Sequence, residues 1–356
     1  MSERAPTPAE IVRALETRVI GQPRAVEEMA VALAKKLAGL TAGNILLIGA
    51  SGSGKTTLMR AVEEYLAAMP EAGARSLVVR IHANLLAEEA QRGRAGSAVL
   101  DRLMSRLRQF HGVSVSRAEA IAELGRGIVF VDEVDKIRAR VGAQPNTAGI
   151  RAQEALLTLI ENEAVPFELP AAFGGDTVSI DSRGLLFVCA GAFEGLYDSV
   201  YDRVTVGEDR GALKSVTHLE EGGVREELDF HLRDWLRLED LFDYGMSPQF
   251  LSRFDALVLL EQLTVDDLVR IFLESPDSGY QAEREFFHRQ GVELAMSPAA
   301  VRRIAREAAR QPRLGARALK EVFRRVVRDL ELEPQERAEA GVLMVDEPEV
   351  EAALGS

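Results

Sequence analysis

Short apolar runs and helical spacings alternate along the first part of the chain. Continuous apolar runs, which are typical of strands buried on both faces, occupy 44–48, 77–81, 128–131 and 185–189. Between these runs, apolar residues recur three or four positions apart, which indicates amphipathic helices. Strands that alternate with helices favour a parallel sheet covered by helices on both faces. The sequence therefore predicts an α/β fold for this part of the chain.

The C-terminal part of the chain is predicted to be mainly helical. Apolar residues recur at helical spacing in 265–273. Ser297 followed by Pro298 is a typical helix start, because serine caps the first N–H groups and proline fits the first turn. The sequence therefore predicts a large domain over 1–260 and a smaller, mainly helical domain over 261–356.

Composition and charge narrow the class of protein. A hydrophobic content of 47% with 28% charged residues is typical of a globular protein. The lone cysteine, Cys189, excludes an internal disulfide and any zinc site with several cysteines, which favours a reducing compartment. No apolar stretch approaches the roughly 20 residues of a membrane helix, so we expect no membrane partner and a cytoplasmic location. A net charge of -13 argues against broad binding of nucleic acid, whose affinity comes from Lys and Arg that neutralise phosphates.

A glycine-rich loop carries the first recognisable chemistry. Residues 49–56 match the pattern G-x-x-x-x-G-K-[ST] at every fixed position, between a predicted strand and a predicted helix. In such a loop the glycines let backbone N–H groups surround phosphates, Lys55 adds positive charge, and Thr56 offers a hydroxyl to Mg²⁺. The sequence therefore predicts that ATP and Mg²⁺ bind here. The residues expected to contact the nucleotide are Ser51, Gly52, Ser53, Gly54, Lys55, Thr56 and Thr57, and Lys55 is also expected to act in catalysis.

An acidic pair follows the third predicted strand. Asp132 and Glu133 come directly after the apolar run 128–131. Ligand sites in open α/β sheets lie outside the carboxyl ends of the strands, where this pair is expected. We predict that Asp132 holds Mg²⁺ and that Glu133 polarises the attacking water as a general base. An isolated acidic pair is often only a solvated turn, but the upstream phosphate loop favours ATP hydrolysis.

With these motifs in place, the sequence resembles the AAA+ ATPases, most closely the ClpX and HslU branch of protein unfoldases. The resemblance covers nearly the whole chain. It implies that Val19 and Ile20 lie against the adenine of the nucleotide. The segments that carry it, besides the phosphate loop, are V-I-G-Q at 19–22, V-D-E-V-D-K-I at 131–137, the helical segment 153–161 and the strand at 187–193.

The same resemblance assigns roles to two arginines. Arg253 matches the arginine finger, which reaches the γ-phosphate bound by a neighbouring subunit. Arg317 matches the sensor 2 arginine of the small domain. For each, an ordinary surface ion pair is the alternative interpretation. A finger that acts on a neighbour implies a homo-oligomeric ring, which in this family is usually a hexamer, because a ring closes its head-to-tail interfaces.

The sequence also departs from the family pattern. Unfoldases of this branch grip polypeptide with a Gly-Tyr-Val-Gly pore loop, whereas 93–96 read Gly-Arg-Ala-Gly. Arg94 is suited to acidic side chains or phosphate rather than to apolar contacts. We expect the zinc-binding N-terminal domain of ClpX to be absent and predict no zinc, since His82 and His111 lack metal-ligand spacing. The charged segment 201–239 is predicted to be a solvated loop without the Ile-Gly-Phe tripeptide that docks on ClpP, so we expect no coupling to that protease.

Three functions remain open from the sequence. The leading hypothesis is a motor driven by Mg-ATP that remodels or unfolds a specific protein or assembly. A second is a nucleic-acid motor or loader in which Arg92 and Arg94 face phosphates. A third is a scaffold that assembles and releases a partner according to its nucleotide.

Overall fold

The computed structural model describes residues 4–69, 77–111, 115–142, 144–161, 164–206, 214–220, 223–332 and 334–355. Most of its strands are four to seven residues long. The strands are β1 (Ile45–Ile48), β2 (Val78–His82), β3 (Ile128–Asp132), β4 (Arg140–Val141), β5 (Gln144–Pro145), β6 (Val165–Glu168), β7 (Thr177–Ile180), β8 (Leu186–Gly191), β9 (Lys214–Glu220), β10 (Gly223–Asp229), β11 (Ala256–Leu259), β12 (Glu293–Met296) and β13 (Val342–Val345).

Helices connect and cover these strands. Short 3₁₀ helices cover Val134–Lys136 and Ala171–Phe173. Across the described ranges, no helix is long and apolar enough to cross a lipid bilayer. The α-helices are α1 (Pro8–Glu16), α2 (Pro23–Leu37), α3 (Lys55–Ala67), α4 (Ala83–Gln91), α5 (Ala95–His111), α6 (Arg117–Leu124), α7 (Thr147–Glu161), α8 (Leu196–Val206), α9 (Leu232–Trp235), α10 (Leu238–Tyr244), α11 (Pro248–Leu251), α12 (Val265–Glu274), α13 (Gly279–Arg289), α14 (Pro298–Ala309), α15 (Ala316–Val327), α16 (Pro334–Arg337) and α17 (Glu347–Leu354).

The chain forms two compact units, each built from more than one segment. The first unit consists of Met1–Ala38, Gly49–Met69 and Leu260–Ser356. The second unit consists of Gly39–Ile48 and Pro70–Leu259. Each unit has its own cluster of buried apolar side chains. The domain division that the sequence predicts, 1–260 and 261–356, stays a prediction.

A five-stranded sheet forms the centre of the second unit. Its strand order is β11-β1-β8-β3-β2, and every neighbouring pair is parallel. All residues of β3 and β8 are buried, as expected for strands covered on both faces. The α/β fold with a parallel sheet is thus confirmed, and the four strands that the apolar runs predict are all present.

The sequence did not predict the fifth strand, β11. It is an edge strand that pairs only with β1, with Ala256 opposite Ile45. Only Val258 of its four residues is buried, and Leu257 is 38% exposed. An edge strand with one buried position has too short an apolar pattern to stand out from a loop.

The first unit contains a helical core. Helices α12 to α15 and α17 pack with the parallel strand pair β12–β13 around a cluster of aromatic rings. The rings of Phe272 and Phe323 meet edge to face with centroids 4.9 Å apart. The predicted start of α14 is confirmed, because Ser297 Oγ accepts a hydrogen bond from Ala300 N at 3.3 Å. In the same unit α1 packs on α2 and α3.

The charged segment 201–239 differs from the expected loop. It contains an antiparallel pair, β9 with β10, in which Lys214 lies opposite Asp229, and the helix α9 follows. The prediction of a solvated loop is therefore wrong for these strands. Residues 207–213 and 221–222 of this segment lie outside the described residues.

Candidate functional site

The phosphate loop of the first unit has a backbone that favours glycine at two positions. The loop lies between Ile48, the last residue of β1, and Lys55, the first residue of α3. Gly52 and Gly54 have φ angles of 72° and 105°, which side chains disfavour. A Cβ atom on Gly52 would lie 2.1 Å from the carbonyl oxygen of Leu314. Because Gly54 caps α3 without a side chain, the first N–H groups of the helix have no side-chain cap, as a phosphate site requires.

Lys55 carries the positive charge of the phosphate loop. This residue is only 9% exposed, and its Nζ donates to the carbonyl oxygens of Gly49 at 2.5 Å and Ala50 at 2.8 Å. The ammonium thus lies over the loop backbone, and phosphate oxygens would be stronger partners because they are charged. Ser53 Oγ is buried and has no hydrogen-bond partner among the described residues. This set of donors fits a bound polyphosphate.

Segment 19–22 is attached to the loop through a buried amide. Gln22 is 2% exposed, and its Nε2 donates to Ser53 O at 2.9 Å and to Glu261 O at 2.8 Å. Its Oε1 accepts from Glu261 N at 2.8 Å. Val19 and Ile20 are buried, at 4% and 7% exposure, and their contact with adenine stays a prediction. The sequence places Gln22 in the V-I-G-Q segment at 19–22 but gives it no role of its own, because a local pattern does not show hydrogen bonds to residues this distant.

Arg317 lies on the phosphate loop. Its Nη1 donates to Ser51 Oγ at 2.5 Å, and the adjacent Ala316 N donates to Gly52 O at 3.1 Å. Gly315 has a φ of 52°, and a Cβ there would lie 2.7 Å from Gly52 O. The start of α15 is therefore packed against the loop. The position agrees with the predicted sensor role of Arg317, and the role itself stays a prediction.

In the second unit, Asp132 and Glu133 end the strand β3. Asp132 is 8% exposed, and its Oδ1 accepts from Glu133 N at 2.9 Å. Its Oδ2 forms an ion pair with Arg80 Nη2 from β2. Glu133 has a φ of 62°, an uncommon conformation for a residue with a side chain, and its side chain is 50% exposed. The chain thus buries one carboxylate and turns the next one toward solvent.

Two further groups surround this strand end. His82 is the last residue of β2, lies opposite Asp132 in the sheet, and places Nδ1 3.9 Å from Glu133 Oε2. Asp135 is 1% exposed, and its Oδ1 accepts from Ala192 N at 3.0 Å, just beyond the end of β8. The sequence predicts only a structural or surface role for His82 and does not single out Arg80. The position of His82 at the carboxyl end of a strand beside β3 was a signal for it, whereas Arg80 lies in the middle of β2 and had none.

Arg253 lies in an ion pair within its own unit. Its guanidinium contacts the carboxylate of Glu161 at the end of α7, with the two side chains 46% and 35% exposed. Asn44 Nδ2 donates to Arg253 O at 3.2 Å, which fixes the backbone beside β1. Within one chain, Arg253 therefore forms a surface ion pair, which is the alternative to its role as an arginine finger. The action of Arg253 on a neighbouring subunit stays a prediction.

The loop between α4 and α5 presents two arginines. Arg92 and Arg94 are about two-thirds exposed, at 65% and 64%, and both face Glu89. Arg92 Nη1 lies 2.6 Å from Glu89 Oε1, and Arg94 Nε lies 3.9 Å from Glu89 Oε2. Gly93 between them has a φ of 70°. The loop therefore exposes positive charge at a tight turn.

Comparison with known proteins decides the family. Residues 40–257, more than half of the chain, match the family model of the AAA domain (Cdc48 subfamily). The chain belongs to the AAA+ ATPases. It is 31% identical over 350 residues to the ATP-dependent Clp protease ATP-binding subunit ClpX 3 of Methylococcus capsulatus, covering 91% of this chain and 75% of that protein. It is 30% identical over 339 residues to the ClpX subunit of Azotobacter vinelandii, covering 89% and 72%.

This AAA+ chain is thus ClpX-like and an ATPase, as the motifs predict. Magnesium needs few protein ligands in such a site, because it keeps waters and binds the phosphates of the nucleotide. Within the described ranges, no group of three or more His, Cys, Asp or Glu side chains could hold a metal ion. The buried carboxylate of Asp132 and the hydroxyl of Thr56 are the hard oxygen ligands that Mg²⁺ prefers. Each of these oxygens by itself has the chemistry of a Mg²⁺ ligand, and a shared role in binding the metal stays a prediction.

Proposed function

We propose that the protein hydrolyses Mg-ATP in a homo-oligomeric ring and uses the energy to remodel or unfold a specific protein or assembly. The observation that carries this proposal is the contact of Arg317 Nη1 with Ser51 Oγ, 2.5 Å long. It joins the phosphate loop to α15, so a change in the loop on nucleotide binding or release is passed to the helical core of the same unit. A contact between the nucleotide-binding loop and another element is what a motor needs to convert chemistry into motion.

Each residue of the proposed site has a role that its surroundings support. Lys55 and the loop residues 51–54, with Thr57, bind the phosphates, while Val19 and Ile20 lie against the adenine. Thr56 and Asp132 hold Mg²⁺, which neutralises charge on the phosphates. Glu133, whose carboxylate is half-exposed, accepts the proton of the attacking water. His82 Nδ1 lies 3.9 Å from that carboxylate, which is beyond hydrogen-bond distance.

The proposal of a ring depends on the role of Arg253. Its side chain is 46% exposed and is held by a surface carboxylate, Glu161, that it can exchange for a phosphate of higher charge. A guanidinium that reaches a neighbour's nucleotide makes the site complete only between subunits. A hexamer is the family expectation for such a ring. Independence from ClpP and a cytoplasmic location also stay predictions, although the curated relatives carry the name of Clp protease subunits.

Arg92 and Arg94 favour a second candidate function, that of a nucleic-acid motor or loader. Both guanidinium groups are about two-thirds exposed, near the carboxylates of Glu89 and Asp101. Phosphates of a single strand are suitable partners for such a turn. The net charge of -13 favours a protein substrate instead, because the surface as a whole repels a polyanion.

The test compares ATP turnover of the wild type with Glu133→Gln and with Glu168→Gln. Glu168 is an exposed carboxylate on β6 and serves as the matched control. Loss of a general base lowers turnover by about 10²- to 10⁴-fold, so we expect that loss in Glu133→Gln with nucleotide affinity unchanged. Turnover at the wild-type rate in Glu133→Gln would show that another residue is the base.

The same assay separates the two candidate functions. Wild-type turnover is measured with an unfolded protein and with single-stranded DNA or RNA, across a salt series. Stimulation by the unfolded protein supports the remodelling function. Stimulation by nucleic acid that falls steeply with salt supports the alternative, because bound phosphates release counterions. Negligible turnover in the wild type under all conditions would contradict both and favour a nucleotide-dependent scaffold.

A further inference from the structure

Both oxygens of the Asp132 carboxylate have partners within the chain. Oδ1 accepts from Glu133 N at 2.9 Å, and Oδ2 is paired with Arg80 Nη2. Arg80 lies opposite Phe130 in the sheet, so its side chain reaches diagonally to the residue two positions further along β3. The pair is fixed by the register of two adjacent parallel strands. A guanidinium is therefore a built-in neighbour of the proposed metal ligand.

The positive charge of Arg80 acts on Asp132 with limited screening by water. The side chain of Asp132 is 11% exposed and that of Arg80 is 33% exposed, so water screens the pair only in part. Arg80 Nε is buried and has no hydrogen-bond partner among the described residues. The guanidinium of Arg80 therefore places a positive charge directly beside Asp132. A divalent cation that approaches Asp132 is repelled by it.

We propose that Arg80 is a positioning residue that holds Asp132 in place and makes metal binding depend on nucleotide. In the protein alone, Arg80 already balances the charge of Asp132, so the carboxylate attracts a divalent cation only weakly. The phosphates of a nucleotide would supply negative charge and further oxygen ligands, which would favour a divalent cation at Asp132 over the guanidinium of Arg80. The inference rests on the proposed function, in which Asp132 is the metal ligand.

The test measures Mn²⁺ binding by electron paramagnetic resonance of the free ion, without nucleotide and with a non-hydrolysable ATP analogue. Arg80→Gln removes the charge but keeps a donor for Asp132, and Arg80→Met is a second neutral variant. Arg80→Lys keeps the charge. The matched control is Arg183→Met, which removes an arginine from another Arg–Asp pair, with Asp181, before the start of β8 and thus at the other end of the sheet.

We expect Arg80→Gln to bind Mn²⁺ without nucleotide about tenfold more tightly than the wild type, since one repelling charge is gone. Arg80→Met should change in the same direction. Arg80→Lys and Arg183→Met should stay close to the wild type. In the wild type, the ATP analogue should increase Mn²⁺ affinity more strongly than it does in Arg80→Gln.

Unchanged or weaker Mn²⁺ binding in the folded neutral variants overturns the inference. If the wild type still hydrolyses ATP in that case, the proposed function stands and only the role of Arg80 is wrong. If the wild type neither binds the ATP analogue nor hydrolyses ATP, the proposed function fails first. Circular dichroism shows whether each variant is folded. If only one of Arg80→Gln and Arg80→Met is folded, its Mn²⁺ affinity alone tests the inference.

Discussion

Two buried glutamines, one in each unit, form hydrogen bonds to backbone groups near different functional residues. Gln22 and Gln153 are each 2% exposed, and each makes hydrogen bonds to backbone groups with both its amide nitrogen and its oxygen. Gln22 joins the phosphate loop at Ser53 to Glu261. Gln153 joins Ile137, just after the acidic pair, to the segment 245–247 that leads to Arg253. Each unit thus fixes its own functional residues internally.

The two regions differ in what shapes them. The phosphate loop is shaped by backbone: positive φ angles at Gly52 and Gly54 and carbonyl groups bonded to Lys55. The end of β3 is shaped by charged side chains, namely the Asp132–Arg80 pair and the nearby His82. The loop should therefore be sensitive to any added atom, whereas the strand end should be sensitive to a change of charge.

The largest effect that would test this contrast is expected for Gly52→Ala. A Cβ at this position would lie 2.1 Å from Leu314 O, and φ is 72°. Left-handed backbone alone costs a residue with a side chain about 1–2 kcal/mol, and the clash forces the loop away from Leu314. We expect nucleotide affinity to fall by about a hundredfold, equivalent to about 2.7 kcal/mol. The measurement is a titration with a fluorescent ATP analogue.

Gly39→Ala is the matched control for Gly52→Ala. Gly39 has a φ of 75°, but a Cβ there would meet nothing within 4 Å. This variant carries the backbone strain without the clash, so stability should fall slightly while nucleotide affinity stays unchanged. Equal affinity in the wild type and both variants would show that the loop tolerates an added atom, and the contrast between the two regions would be lost.

Smaller effects are expected for Gln22→Ala and Gln153→Ala, and the two variants should differ in which property they lose, nucleotide affinity or turnover. Gln22→Ala removes the hydrogen bond to Ser53 O, and Gln153→Ala removes the hydrogen bonds to Ile137 O and Ser247 N. Unsatisfied buried groups cost about 1–3 kcal/mol each, so both variants should lose stability. Gln22→Ala should mainly weaken nucleotide binding, by about tenfold, and Gln153→Ala should mainly lower turnover.

Nucleotide titration and steady-state turnover on the same preparations separate these two outcomes. Each glutamine variant is the control for the other, because the chemical change is the same. If both variants lose affinity and turnover in equal proportion, the two units do not fix separate parts of the chemistry. In that case the glutamines would be general supports of the fold.

Contiguous patterns made part of this molecule predictable. The loop 49–56 is a local motif, and the strands β1, β2, β3 and β8 are continuous apolar runs. Gln22, Arg80 and Gln153 act through partners tens of residues away, such as Ser53, Asp132 and Gly245. Such pairings depend on which strands and loops become neighbours, and a single sequence carries no local signal for them. The edge strand β11 was not predicted for a different reason. Three of its four residues are at least partly exposed, so it has no continuous buried apolar run.

The smallest effect concerns Cys189 on β8, which lies in the sheet of the second unit. Burial raises the pKa of this thiol well above its ordinary value. Above the unfolded-state pKa of about 8.5, the unfolded chain loses the thiol proton while the folded chain keeps it, so stability falls as pH rises. Between pH 7 and pH 9 this contribution is about 0.8 kcal/mol.

Urea unfolding followed by the fluorescence of Trp235, the lone tryptophan, reports on the same unit. We expect the wild type to lose about 0.8 kcal/mol more than Cys189→Ala between pH 7 and pH 9, since the variant has no thiol to ionise. Nucleotide affinity should not differ between the two proteins at either pH, because the phosphate loop belongs to the other unit. An equal loss of stability in both proteins would mean that the thiol reaches solvent in the folded state, and the sheet that supports Asp132 would be less tightly packed than its burial indicates.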